Sequence, residues 1–429
     1  MTLITSCLIR ARVAAYRSFN RFYANSVTRT IDVHSIPQDL FESKSEQPFR
    51  TSTNDPLLHT EKDLGLFYTV NPEDLKRISP FGKSLPLQFR EECEAFNETC
   101  VMIRQPSIDI IKLMKQIDWN LPPLKVVLFP SELGVGMSLS LFHVLHYGLR
   151  KKMLLVNTPT AAEVLKLALD ATPSPNNELM WDTPTAASSW LKTFAINNEE
   201  LLKETNFRTK FTYTWSARES TPAGTHLLDL IGYATERIKY ASECVGAIVK
   251  EVKTQVKEKN IQTLVTFDTI NSYYGPTWIV KPDKSTVKPN EVTMVKALQE
   301  LLLPDWNNAF IVVTIGPKGV IIPKVREKRN WLVRHGHYRT EHRLPGVLMY
   351  DEAMTVKSLL RTEGIEALEP FVPIQVQKYT DDEFNNQYRY YVDRNWIQNH
   401  RGRDEEGRKE ILFYTAKNPY EMARFVGSR

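Results

Sequence analysis

Three things are scarce in this sequence, and each scarcity excludes something. Four cysteines in 429 residues, Cys7, Cys93, Cys100 and Cys244, show neither C-x-x-C spacing nor a disulfide framework. A reducing interior suits them. Cys93 and Cys100 stand seven residues apart, on one face if the segment is helical, and read as core residues rather than a metal pair. No apolar stretch approaches the roughly 18 uninterrupted residues of a membrane span. Acid is missing altogether from the first 31 residues, which carry Arg10, Arg12, Arg17, Arg21 and Arg29 among several serines. On a helix Arg10, Arg17 and Arg21 share one face, with Leu8, Ile9, Tyr16, Phe19 and Phe22 across from them. That is the composition of a mitochondrial transit peptide, which directs the chain to the matrix and stands outside the fold.

What remains is globular: 42% hydrophobic, 24% charged, with a net charge of +5 that permits an acidic partner without demanding one. The apolar run Leu124-Lys125-Val126-Val127-Leu128-Phe129 reads as a buried strand. It enters the segment "PSELGVGMSLSLFHVLHYG", where Leu141, Val144 and Leu145 fall at helical spacing. Strand, glycine turn and helix are the setting of a phosphate-binding G-x-x-x-x-G-K-[ST] loop. On that template Gly136 and Ser138 match, Ser131 replaces the first glycine, and Met137 replaces the lysine. Gly134 lies between them at the tip. A charge-assisted phosphate contact contributes about 1.5–3 kcal/mol, so losing the lysine weakens binding roughly 10- to 150-fold. Backbone N–H groups from Gly134 to Ser138 and the helix N-terminus can still hold a diphosphate. Ser131 restricts the turn if that position requires a positive φ.

Around this loop the pattern alternates between strand and helix. Strands are predicted at 124–129, Met153–Val156, Thr263–Phe267, Phe310–Ile315 and Val372–Val376. Helices are predicted from Leu87 to Met102 and from Ser107 to Ile117. Between the second and third strands, Leu227, Ile231, Ala234, Ile238, Ala241, Val245, Ile248 and Val252 repeat at 4-3-4-3 spacing. That repeat describes one long helix, packed on a sheet rather than in a coiled coil. Short apolar strands alternating with helices imply an α/β fold with a parallel sheet covered on both faces. The third strand ends at Asp268, where a phosphate-loop protein holds magnesium; the other reading is a turn or helix-cap aspartate. No glutamate follows it, so a hydrolytic water lacks a neighbouring base. The fourth strand leaves Thr314 in the place where such folds often keep a polar residue near the terminal phosphate.

The segments "NDPLLHT", "FYTVNPEDL", "SLSLFHVLHYG", "TWSARESTPAGTHL", "VTFDTIN", "EGIEALEPFVPI" and "YYVDRNWIQ" occur in order from about Asn54 to the C-terminus. Together they resemble the death-associated protein 3 family of the mitochondrial small ribosomal subunit. The resemblance implies an AAA-like P-loop NTPase core in the subunit head, binding GTP or GDP with Mg. It implies as partners the small-subunit rRNA, neighbouring small-subunit proteins, and large-subunit proteins across the interface. Some members are also associated with apoptosis. On the family's pattern Ser138 is the magnesium-side hydroxyl and Asp268 its acidic partner, while Met137 and Ser131 depart from it.

Four regions are therefore expected. Residues 1–31 are a transit peptide, and 32–120 an N-terminal extension of mixed coil and helix. Residues 121–345 are the degenerate P-loop NTPase-like core, and 346–429 a C-terminal strand and helical region. One stretch is suited to RNA, "KVREKRNWLVRHGHYRTEHR", with Lys324, Arg326, Lys328, Arg329, Arg334, Arg339 and Arg343 against only Glu327 and Glu341. Trp331, Tyr338 and three histidines are interleaved, so phosphate neutralisation and base stacking are both available. The other reading is a solvated basic loop. "HRGRDEEGRKE" reads as a solvated loop between C-terminal helices. The expectation is a structural ribosomal component and not an enzyme. The alternatives are an active nucleotide switch on the ribosome, or a signalling adaptor away from it.

Overall fold

The computed structural model describes residues 48–427 apart from 83, 84, 160, 167, 169 and 318–354. The transit-peptide segment and the Lys324–Arg343 stretch lie outside the described residues. Phe49–Arg429 forms one compact unit.

Its centre is a five-stranded sheet. The strands are β1 (Leu124–Pro130), β2 (Leu154–Thr158), β3 (Thr263–Phe267), β4 (Ala309–Thr314) and β5 (Phe371–Val376). All neighbours are parallel, in the order β5-β1-β4-β3-β2. The expected α/β sheet is there, with all five predicted strands inside it. Side chains alternate across the sheet, as extended backbone requires. Val126, Leu128, Leu155, Leu264, Phe310 and Val312 face one side, where α2 (Gln105–Gln116) and α3 (Met137–Arg150) cover them. Val127, Leu154, Val156, Val265, Phe267, Ile311 and Val313 face the other. There the cover is α4 (Pro184–Glu204), α5 (Leu227–Glu236), α6 (Ala241–Gln255), α7 (Thr293–Gln299) and α8 (Val356–Leu368). A third cluster joins the antiparallel pair Phe67–Thr69 and Cys100–Met102 to α9 (Asp381–Asp393), α10 (Glu405–Thr415) and α11 (Pro419–Gly427).

Several sequence expectations are corrected. The helix predicted to Met102 is α1 (Leu87–Phe96) and stops at Asn97, whose left-handed backbone (φ 54°) takes it out of register. Cys100 then lies in a strand and Cys93 in a helix, so the two share no helical face. The long helix through Val252 is two helices. Arg237 (φ −105°, ψ 71°) ends α5, a 3-10 turn spans Ile238–Tyr240, and α6 begins at Ala241. The stripe itself shows the break: Ile238 is 44% exposed while Ala234 and Ala241 are fully buried. The run "HRGRDEEGRKE" is not a loop throughout. Asp404 caps the start of α10, its carboxylate accepting from Gly407 N–H at 2.7 Å. A Cβ on Gly407 would stand 2.0 Å from the Arg401 carbonyl, so only glycine allows this close approach.

A phosphate-type loop held from behind

All parallel strands end on one edge of the sheet, and the loop leaves β1 there. β1 lies between β5 and β4, and the connections that leave β1 and β4 run in opposite directions, the position at which open parallel sheets usually place a ligand. Ser131 N–H donates to Val376 O at 2.9 Å, continuing the β1–β5 pairing one residue past the strand. Positive φ then falls at Gly134 (82°) and Gly136 (90°), and Ser131 needs none. Serine in place of the first glycine therefore costs this turn no backbone strain, although its buried Oγ has no hydrogen-bond partner among the described residues. Gly136 is the cap of α3 and offers no side chain to its first turn. Among the described residues, no acceptor takes the N–H groups of Glu132 through Gly136. Together with the positive end of α3 they form a concavity suited to an anion.

Ser138, Asp268 and Thr314 meet beside this concavity. Ser138 Oγ donates to Asp268 Oδ2 at 2.9 Å, and Thr314 Oγ1 donates to Oδ1 at 2.5 Å. Thr314 Oγ1 in turn accepts from Thr269 N–H at 2.8 Å, which holds Thr269 in a left-handed conformation. The sequence placed Ser138 in the loop motif, Asp268 at the end of β3 and Thr314 at the end of β4, and the fold brings them into one hydrogen-bonded group. Met137 opens α3 and packs partly buried against the core on that face. A Cβ on Gly316 would lie 3.3 Å from its Cε, so the thioether leans toward the segment after β4.

The sequence did not reveal what holds the loop from behind. Arg104, just before α2, is buried and uses every donor nitrogen. Nη1 reaches Val135 O at 2.6 Å, Nη2 reaches Gln377 O and Lys378 O at 3.0 Å each, and Nε and Nη2 reach Glu383 at 3.1 Å. Glu383 also closes a capping box with Thr380 at the start of α9. That T-x-x-E pattern was readable in the sequence; its long-range partner was not. Asn418 holds the outer side, donating to Glu132 Oε1 and Leu133 O at 2.7 Å each. Tyr420 N–H donates to Gly134 O at 3.1 Å, and a Cβ on Gly134 would stand 2.5 Å from Tyr420 Cβ. Gly134 is thus required twice, for its φ and for this approach.

Residues 101–425 match the family model for mitochondrial ribosomal death-associated protein 3. The chain is 32% identical over 375 residues to the small ribosomal subunit protein mS29 of Bos taurus, covering 87% of each. It is 31% identical over 379 residues to the protein of that name from Mus musculus, covering 88% of this chain and 89% of that one. The matched span takes in the loop, the Ser138–Asp268–Thr314 group and the residues that clamp them, from Arg104 to Asn418. With its parallel sheet and its loop at the carboxyl edge, the chain belongs to the mitochondrial ribosomal death-associated protein 3 family.

Proposed function

We propose that this protein is a structural component of the mitochondrial small ribosomal subunit, working in the matrix, with a guanine-nucleotide site of reduced strength. One observation carries the reading. Relatives that share 87–88% of its length bear the name small ribosomal subunit protein. Its partners are then small-subunit rRNA, neighbouring small-subunit proteins, and large-subunit proteins across the interface.

The residues at the carboxyl edge fit a nucleotide with magnesium in part. The unpartnered N–H groups before α3 would hold a diphosphate, and Ser138 and Asp268 would hold the metal, which supplies charge neutralisation. Met137 offers no cation. Thr269 and Ile270 follow Asp268, so no carboxylate next to it in the chain is placed to orient water. Phosphoryl transfer depends almost wholly on positioning and electrostatics, so retained weak binding without efficient hydrolysis follows, and the protein is no enzyme.

The stretch from Lys324 to Arg343 is the proposed rRNA contact, with Trp331 as a stacking face. The protein should sediment with the small subunit in lysates of mitochondria, and its hold on rRNA should weaken as salt rises, because phosphate neutralisation releases counterions. Replacing Arg326, Lys328 and Arg329 with alanine should reduce crosslinking to rRNA without unfolding the domain. Recovery away from small-subunit fractions at every salt concentration would sink the ribosomal reading. Unchanged crosslinking would return the stretch to an ordinary solvated loop.

A further inference from the structure

A phosphate loop without its lysine raises the question of which other cation stands near it. Among the described residues most cations nearby are committed elsewhere. Arg104 is closest, yet each of its nitrogens is already bonded, and only 8% of its side chain is exposed. Lys125 lies within β1 and donates to Ala367 O at 3.0 Å. Arg150, at the far end of α3, pairs with Asp55 and Asp74.

Lys378 is different. It follows β5, whose Val376 pairs with Pro130 in register and accepts from Ser131 N–H. A single guanidinium, that of Arg104, bonds both Val135 O in the loop and Lys378 O, so the two backbones run side by side. The Lys378 ammonium lies 3.0 Å from Glu132 Oε2, on the loop itself. Glu132 is a liability in such a loop, since a carboxylate beside a phosphate repels it. Lys378 now cancels that charge.

The pair is also built to exchange. Lys378 and Glu132 are 40% and 37% exposed, and ion pairs so open to water contribute little. Glu132 keeps a partner if Lys378 leaves, because Asn418 Nδ2 donates to its other oxygen at 2.7 Å. A diphosphate, with more charge and more acceptor oxygens, competes well for the ammonium. We infer that Lys378 is the cation that meets the phosphates of a bound guanine nucleotide, standing in from the β5 side for the lysine that Met137 displaces. The inference rests on the nucleotide reading above.

A double-mutant cycle on the full chain tests it, with Mg-GDP as the probe in calorimetry and guanosine as the uncharged control. Lys378→Ala should weaken Mg-GDP about tenfold and leave guanosine unchanged, while Lys378→Arg stays within about threefold of native. Glu132→Gln should tighten Mg-GDP, since it frees the ammonium and removes the opposing charge. The decisive protein is Glu132→Gln with Lys378→Ala. If Lys378 touches phosphate, this double variant binds about tenfold more weakly than Glu132→Gln alone. If it binds as well as Glu132→Gln alone, Lys378 only screens Glu132 and the inference is overturned. Should neither the native chain nor Met137→Lys bind Mg-GDP, the nucleotide reading falls and takes this inference with it. Should Met137→Lys bind while Lys378→Ala matches native, only this inference falls.

Discussion

Met137 holds the first helical position of α3 with its side chain leaning toward Gly316, two residues past Thr314. A lysine there would add a cation at a helix start already shaped to receive an anion. Met137→Lys should therefore tighten guanine-nucleotide binding by about one to two decades, read by calorimetry, because one charge is added to an existing site. Turnover should stay slow, since Thr269 and not a glutamate follows Asp268. Tight GTP binding by the native chain would refute the weakened-site reading. At this scale the sequence was informative about the site's floor and silent about its walls. Ser138, Asp268 and Thr314 are legible because a phosphate loop and strand ends carry recognisable spacing. Arg104, Lys378 and Asn418 act through partners tens to hundreds of residues away, and no local pattern marks them. Ser131 carries no backbone strain, because the turn places its positive φ at Gly134 and Gly136 instead.

At the scale of elements, α3 is anchored at its middle by imidazoles. His59 Nδ1 lies 2.9 Å from His143 Nε2, while His146 meets Asp74 at 3.2 Å and the Tyr68 hydroxyl at 3.4 Å. Burial lowers the pKa of all three, that of His143 well below its ordinary value, so they fold neutral. As pH falls through about 6.5 the unfolded chain takes up protons that the folded one refuses, and stability declines. Glu92 in α1 works in the opposite direction. Burial raises its pKa to about 7 despite a hydrogen bond from Tyr391, so the folded chain keeps a proton that the unfolded one releases above about 4.5. That contribution is lost as pH rises from about 4.5 to 7. Glu92→Gln removes it, and the variant should lose about 2 kcal/mol more than native between pH 7.5 and 5.5 in urea titrations. An equal or smaller loss in the variant would show that Glu92 is ionised in the folded state. Elements themselves were legible where strands are continuous apolar runs. They were not where α5 and α6 join, since a 3-10 turn preserves enough periodicity to mimic one helix. Helix α4 escaped notice, its buried face diluted by Asn197, Asn198 and Thr193.

For the molecule as a whole, the two stretches proposed to set where it goes and what it touches are read from sequence alone. Residues 1–31 carry five arginines and no acid. Fused as residues 1–35 to a fluorescent protein, they should deliver the passenger to the matrix of energised mitochondria. A passenger left in the cytosol at normal membrane potential would contradict the transit reading. The sheet order could not be read in advance, because five apolar strands permit many orders and only the long-range pairing selects one. What the order does is place the β1 loop against whatever follows β5, and so bring Lys378 and α9 to the site.

The hold that Asn418 and Tyr420 take on the loop also has a meaning in time. Asn418 and Leu133 are 285 residues apart in the chain, yet they share a hydrogen bond at the tip of the loop. A polypeptide delivered from its first residue onward can lay down β1, α3 and the strands beside them while the outer wall of the site does not yet exist. Until Asn418 arrives, the Leu133 and Gly134 carbonyls have only water or a chaperone to face. The loop is therefore among the last parts of this protein to take its shape, although it is encoded in the first third. A chain interrupted short of Asn418 carries the motif and lacks the site.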